Sequence, residues 1–340
     1  MNRDNKIGFV LSRLLSFLLI PLVYLLLCGS FWLIVRADEL VGLSRLLSDG
    51  FYDFKEAINI EEYGIDASEL GKIFSFLMKN DPYLFFVDSN LYFSYRQDGC
   101  VVTVKPKYVM SREETELAWD FCRENVKLLA NEAAEHTEND MERVLFLHDS
   151  ICLRFSYDDS LKNDNMYMFL KSGRGTCQSY TLLYMAAVRE LGLDCTYAAS
   201  DTIAHIWNLI ELDDSWYHVD LTWDDASEAG VSRRHFLLSD RLAKEKGHRD
   251  WYSGINLKCS NDSYSEFDFD SIHSVISCDA DHSGGVELAD ILSIVTGNTV
   301  DGNKVCTLCA DADLDGVLSD ADEQIMRGAV FYAVRSRESE

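Results

Sequence analysis

The sequence is poor in proline and in positive charge. Three prolines in 340 residues exclude long Pro-rich linkers. The 31 Lys and Arg are outnumbered by 57 Asp and Glu, for a formal net charge of -26. That balance argues against a nucleic-acid partner, because phosphate recognition needs clustered cations. It points instead to plain solubility or to carboxylates that hold a metal. The 47% hydrophobic and 12% aromatic content is that of a globular chain, and the length allows a sizeable core.

Charge is also missing from Leu14 to Val35, a run of 22 residues preceded by Arg3, Lys6 and Arg13. Such a run is long enough to span a bilayer with its basic flank inside. Val35-Arg36-Ala37 has the small-x-small character of a signal-peptidase site. Residues 1–37 therefore read as a cleaved signal peptide or an uncleaved membrane anchor, with a membrane contact only in the second case. Either way the rest of the chain is expected outside the cell, secreted or at its surface. Nine of the ten cysteines follow Cys28. Export permits disulfides, and an odd number leaves one thiol over. Cys306 and Cys309 form a lone Cys-x-x-Cys without a second pair at zinc spacing, which suits a structural pair or two free thiols.

Residues 38–110 read as an N-terminal region with a small β-meander. Its β-like runs are Tyr83–Val87, Leu91–Tyr95 and Val101–Val104, separated by Asp88-Ser89-Asn90 and Asp98-Gly99. Ser111 with Glu114 is a capping box, opening a helix with apolar positions at Leu117, Phe121, Val126 and Leu129. A second helix starts between Thr137 and Asp140. A third begins near Cys177 and stops at Gly192. Three strand-like runs follow, Cys195–Ala199, His205–Leu212 and Trp216–Asp220, with a turn at Asp213-Asp214-Ser215. Helices followed by an antiparallel sheet make an α+β domain, expected over 111–270.

Cys177 stands in Gly173-Arg174-Gly175-Thr176-Cys177-Gln178-Ser179-Tyr180, at a helix start. A thiol attacks only as thiolate, and a helix N-terminus with its unpaired N–H groups favours the anion. The same N–H groups suit an oxyanion. His205 in His205-Ile206-Trp207-Asn208 is placed as general base and acid, and Asp220 as the group that orients its ring. Tyr157, Gln178, Trp207 and Trp223 are candidates to line the pocket or donate to an oxyanion. His148, His218 and His248 read as structural.

The segments Gly175-Thr176-Cys177, His205-Ile206-Trp207-Asn208 and Trp216 to Asp224 together resemble the transglutaminase-like superfamily. Leu147-His148-Asp149 and Tyr157-Asp158 fit the pattern that precedes the cysteine there. The resemblance covers about Asp140 to Asp225, with Phe236 to Asp240 as a weaker tail. It implies a papain-like core, with the Cys-bearing helix packed on an antiparallel sheet and a triad of Cys177, His205 and Asp220. It also implies a protein or peptide substrate and an acyl-thioenzyme, with no cofactor for the chemistry. Hydrolysis of amides is the expected outcome, because water is abundant outside the cell. Cross-linking of protein glutamines to amines, or a non-catalytic subunit with a vestigial triad, are the other readings.

From Cys278 to Val330 there are 11 Asp or Glu against 2 Lys or Arg. Asp279, Asp281, Ser283, Gly284 and Asp290 fall at positions 1, 3, 5, 6 and 12 of a calcium loop. Asp311, Asp313, Asp315, Gly316 and Asp322 repeat them 32 residues later. Alternating hard oxygen ligands with Gly at the sharp turn are what Ca²⁺ coordination requires. The pair resembles a dockerin over 277–334, a small all-α module. That resemblance implies structural Ca²⁺ and the cohesin domain of an extracellular, cellulosome-type scaffold as partner.

Overall fold

The computed structural model describes residues 40–225, 231–253 and 257–269. The expected export segment, 1–37, and the paired calcium loops, from Asp279 to Asp322, lie outside the described residues. Among the described residues no helix is long and apolar enough to cross a membrane. The chain divides into two compact units, the first holding the residues up to Leu77 with Val87–Val109, the second Met78–Phe86 with the residues from Met110 onward.

In the first unit residues 40–52 form helix α1. It is followed by β1 (Ile58–Asn59), α2 (Ala67–Asn80), β2 (Tyr92–Tyr95) and β3 (Val101–Lys105). The sheet is antiparallel in the order β1-β3-β2. Leu43, Leu47, Phe51, Ile58, Leu70, Phe74, Val101 and Val104 are buried. A three-stranded sheet was expected here, but its third member is Ile58–Asn59 and not Tyr83–Val87. Asp81 accepts the Tyr83 N–H at 3.0 Å, which curls the chain straight after α2. Within the second unit Phe86 then packs edge-on against Trp119 and Phe85 stacks on Tyr167. Aromatic burial decides the conformation of this run, against its β propensity.

The second unit opens with α3 (Arg112–His136) and α4 (Asp140–Arg154). Ser111 and Glu114 cap α3 reciprocally at 3.2 and 2.8 Å, and Asn139 accepts the Glu142 N–H at 3.1 Å to start α4. The core face of α3 is Thr115, Ala118, Cys122, Val126, Leu129, Ala130 and Ala133. Leu117, expected inside, is 73% exposed. Small residues take its place because they allow α3 to approach α4 and α6 closely.

Next come β4 (Ser156–Tyr157), α5 (Met166–Ser172), β5 (Arg174–Gly175) and α6 (Cys177–Glu190). Strands β4 and β5 pair in parallel. Every residue of α6 from Ser179 to Val188 is buried, as expected of a central helix covered on all sides. An antiparallel sheet follows, made of β6 (Cys195–Ser200), β7 (His205–Leu212) and β8 (Ser215–Val219). Asp213 and Asp214 both have positive φ, 50° and 58°, the primed geometry that matches strand twist in a two-residue hairpin. It sets the register Leu212↔Ser215 and so Asn208↔Val219. Short helices α7 (Leu221–Asp224) and α8 (Asp240–Glu245) close the unit. Helices gathered against an antiparallel sheet make an α+β fold. The described cysteines 100, 122, 152, 177, 195 and 259 are all free thiols.

Candidate active site

Gly175 is required ahead of Cys177 for a steric reason. A Cβ there would lie 2.5 Å from the Phe169 ring and 2.6 Å from Ser179 Cβ, closer than carbon atoms tolerate. Its neighbour Thr176 donates its N–H to the Asn163 carbonyl at 3.0 Å. The loop carrying Asn163 is itself wound around Asp158, which accepts from the Ser160 hydroxyl at 2.6 Å and from the N–H groups of Ser160, Lys162 and Asn163. The half-buried Cys177 is thereby held as the first residue of α6, beside N–H groups that have no partner within the helix.

Two side chains tie α6 to β7. The Thr181 hydroxyl bridges the Cys177 and Ile206 carbonyls at 2.8 and 3.2 Å, and Asn208 Nδ2 donates to the Thr181 carbonyl at 3.0 Å. They bring the start of β7, His205, to the start of α6. The Cys177 side chain lies near enough to the His205 ring to help raise its pKa. On its other side His205 Nε2 meets Asp220 Oδ2 at 2.7 Å, so Nδ1 is the ring nitrogen left for the thiol. The hairpin register explains the second contact. Continuing Asn208↔Val219 by one step sets Asp220 opposite Trp207, and side chains two apart share a face. His205, Trp207 and Asp220 therefore emerge together.

Asp220 is buried and multiply bonded. Oδ1 accepts the Trp223 N–H at 3.2 Å, capping α7, and Oδ2 accepts from His205. Burial raises its pKa, but the His205 charge and the hydrogen bonds outweigh this and hold the carboxyl well below the usual range. For His205, burial opposes the charged form. The field and hydrogen bond of Asp220, with Cys177 in support, override it and push the pKa up to about 10. The environment thus favours an imidazolium at neutral pH, which is the partner a thiolate needs.

The remaining candidates separate. Trp223 is 37% exposed and lies over His205 with ring centroids 4.9 Å apart and planes 7° from parallel. It forms a solvent-facing wall that can hold the cation by its π face. Tyr157 ends β4; burial, then the Cys177 sulfur, raises its pKa, so its hydroxyl stays protonated and able to donate. Gln178 is half-buried at the second position of α6. Trp207, expected as a pocket or oxyanion group, is 1% exposed and its indole N–H donates to His218 Nδ1 at 2.9 Å. That donor is committed to the protein interior.

Behind His205 and Asp220 lies a buried ionic layer. His148 Nδ1 meets Asp149 at 2.9 Å, Arg233 donates to Asp149 at 2.7 Å, and His148 Nε2 approaches Asp224 at 3.4 Å. Asp224 also accepts from the His235 backbone N–H at 2.8 Å and from Nδ1 at 3.0 Å. The His235 carbonyl then receives the Asp220 N–H at 3.0 Å. Helix α4 thus positions Asp220 through Asp224 and His235. Sequence reading treated His148 as structural and did not place Asp224, Arg233 or His235. Nothing in local spacing announces contacts across 84 positions.

Among the described residues, two groups of donors are close enough to hold a cation, His205 with Asp220 and His248, and His218 with Asp240 and Cys259, their ligand atoms lying within 4.8 Å. In the second, Trp207 makes His218 Nδ1 an acceptor, so Nε2 carries the proton it gives Asp240 at 2.9 Å. A ligating Nε2 must be bare, and this tautomer opposes it. In the first, a cation would displace the two N–H groups on Asp220 and remove the proton acceptor from the thiol. Both groups are better described as hydrogen-bonded clusters.

Residues 127–221 match the family model described as the transglutaminase-like superfamily. No curated protein matches the chain. Among solved structures, one described as a TGase aligns at 11% identity and a TM-score of 0.28, covering 39% of this chain. The alignment spans less than half, 44%, of that structure's own length. A second, from Cytophaga hutchinsonii and provisionally described as a cysteine protease, aligns at 12% identity and a TM-score of 0.27, covering 49% of this chain and 73% of its own.

Proposed function

We propose that the second unit is a cysteine-dependent acyl-transfer enzyme that hydrolyses amide bonds in a protein or peptide. The carrying observation is a single imidazole, His205, that meets Asp220 Oδ2 at 2.7 Å and lies near enough to Cys177 for the thiol to act on its pKa. Cys177 Sγ attacks the amide carbonyl carbon, and the first-turn N–H groups of α6 face the oxygen that gains charge. The His205 imidazolium gives its proton to the departing amine as the C–N bond breaks, leaving a thioester. Neutral His205 then takes a proton from water, whose oxygen attacks the thioester. Collapse then breaks the C–S bond, releasing the carboxylic acid with the second proton of the water and restoring the thiolate beside the imidazolium. Asp220 keeps its charge throughout and orients the ring. Attack by an amine in place of water is the cross-linking alternative.

The wider setting is also proposed. Residues 1–37 export or anchor the chain. The loops at Asp279, Asp281, Ser283 and Asp290, and at Asp311, Asp313, Asp315 and Asp322, bind structural Ca²⁺. The module they build docks on a cohesin of an extracellular scaffold. What supports this is the repeated ligand pattern in the sequence.

The test is to trap an acyl-enzyme on Cys177 from a peptide library and identify the acyl group by mass spectrometry, with and without a primary amine. A free acid as product supports hydrolysis, and an amide adduct supports cross-linking. A Cys177 that titrates as an ordinary thiol, with alkylation unchanged in His205→Ala, would sink the enzyme reading. For the docking module, a calcium titration that changes neither circular dichroism nor cohesin capture counts against it.

A further inference from the structure

Asp220 serves two histidines. His248 Nε2 lies 2.7 Å from Oδ2, the same oxygen that His205 Nε2 meets at 2.7 Å. His248 is 1% exposed, and its Nδ1 is buried without a hydrogen-bond partner. An N–H is needed to bond a carboxylate, so Nε2 carries a proton.

The chain places this ring deliberately. Gly247 has φ +111°, and a Cβ there would sit 3.5 Å from the Trp223 ring. That turn delivers His248 from the end of α8, where its N–H bonds the Ala243 carbonyl at 3.0 Å. The ring lies 4.2 Å from Trp223, 4.5 Å from Trp207 and 5.6 Å from His235, centroid to centroid. The ionisable groups near it are Asp220, His205 and His218, with His235 held on Asp224. Neighbouring Lys246 turns away to the Arg234 carbonyl.

We infer that His248 is a positioning residue of the site, a second donor that locks the Asp220 carboxylate and draws off part of its negative charge. This rests on the thiolate–imidazolium reading above. An aspartate bonded to His205 alone would hold the imidazolium more tightly and slow the transfer of its proton to a leaving amine. Sharing Oδ2 between two N–H groups moderates that hold while keeping the ring oriented.

The test is a pH titration of the full chain with ¹³C,¹⁵N-labelled histidine, followed by NMR, with His205 identified by loss of its signal in His205→Gln. In the wild type, His205 is expected to titrate well above 6.5, and His248 to show a proton on Nε2. His248→Gln keeps a donor at the Nε2 position and leaves the His205 midpoint in place. His248→Phe fills the space without a donor and moves the midpoint upward by at least ~0.5 pH unit; His248→Met removes the donor with a more pliable side chain should Phe not fold. An unmoved midpoint in the donor-free variants, or a wild-type His248 with no proton on Nε2, overturns the inference while leaving the enzyme reading intact. A wild-type His205 titrating at its ordinary 6.5 overturns the enzyme reading and the inference with it.

Discussion

Replacing Asp220 by Asn tests whether the carboxylate creates the reactive thiolate. Asn keeps the shape and removes the charge. It also cannot satisfy its surroundings, because Oδ2 receives N–H groups from His205 and His248 while Oδ1 receives the Trp223 N–H. Whichever way the amide is turned, its NH₂ faces a donor. Raising His205 from 6.5 to about 10 corresponds to on the order of 5 kcal/mol in favour of the imidazolium, at 1.36 kcal/mol per pH unit. Without the carboxylate, burial alone remains and acts in the opposite direction. The thiolate then loses its counter-charge, and at pH 6 the rate of Cys177 alkylation is expected to fall by ~100-fold or more. The assay is iodoacetamide labelling between pH 4 and 10, read by mass spectrometry on the Cys177 peptide so that the other free cysteines do not contribute. The two profiles should lie furthest apart at acidic pH, where a neutral thiol does not react. Superimposable profiles would refute the argument. The variant should also lose about 2–4 kcal/mol of stability from its mismatched buried donors.

Gly175→Ala should destabilise the second unit by about 1–3 kcal/mol through overlap with Phe169 and Ser179, seen as a lower thermal midpoint together with slower Cys177 alkylation; an unaltered midpoint would show that the close approach does not matter. Asp149→Ala removes the buried carboxylate that His148 and Arg233 share and should cost about 3–5 kcal/mol in urea unfolding. Burial opposes the His148 charge, but Asp149 and Asp224 raise its pKa to about 9. A group raised on folding stabilises fully below its unfolded value of about 6.5 and loses that contribution as pH rises through the folded value. The urea midpoint should therefore fall between pH 6.5 and 9, and His148→Gln should flatten that decline. Asp213→Asn with Asp214→Gly suits the two positive φ angles of the hairpin and should add about 1 kcal/mol, measured as a higher denaturation midpoint.

What could be read from the sequence was what local chemistry decides. The Ser111 box, the start of α6 at Cys177, its stop before Gly192 and the three strands from Cys195 to Val219 each rest on a cap, a turn or an alternation within a few residues. The pairing of His205 with Asp220 was within reach because one two-residue hairpin fixes their register. The errors came where packing at long range outweighs local preference. Tyr83–Phe86 is apolar enough for a strand, but Asp81 curls it and aromatic partners bury it. On α3 the larger side chains Leu117 and Phe121 drew the eye, while the core face is built of Ala118, Ala130 and Ala133, since close helix contact selects for small residues. His248, read as structural from the sequence, was the hardest contact to foresee. It lies in a stretch without alternation or motif, 28 positions beyond the carboxylate it meets, and outside the 127–221 family match. Its place depends on a positive-φ glycine, a short helix and two tryptophans from other elements. Those elements come together only once the Asp224–His235 strap is anchored by α4. The residues proposed for the chemistry are thus marked by their neighbours in sequence, whereas the residue proposed to position them is marked only by its neighbours in space.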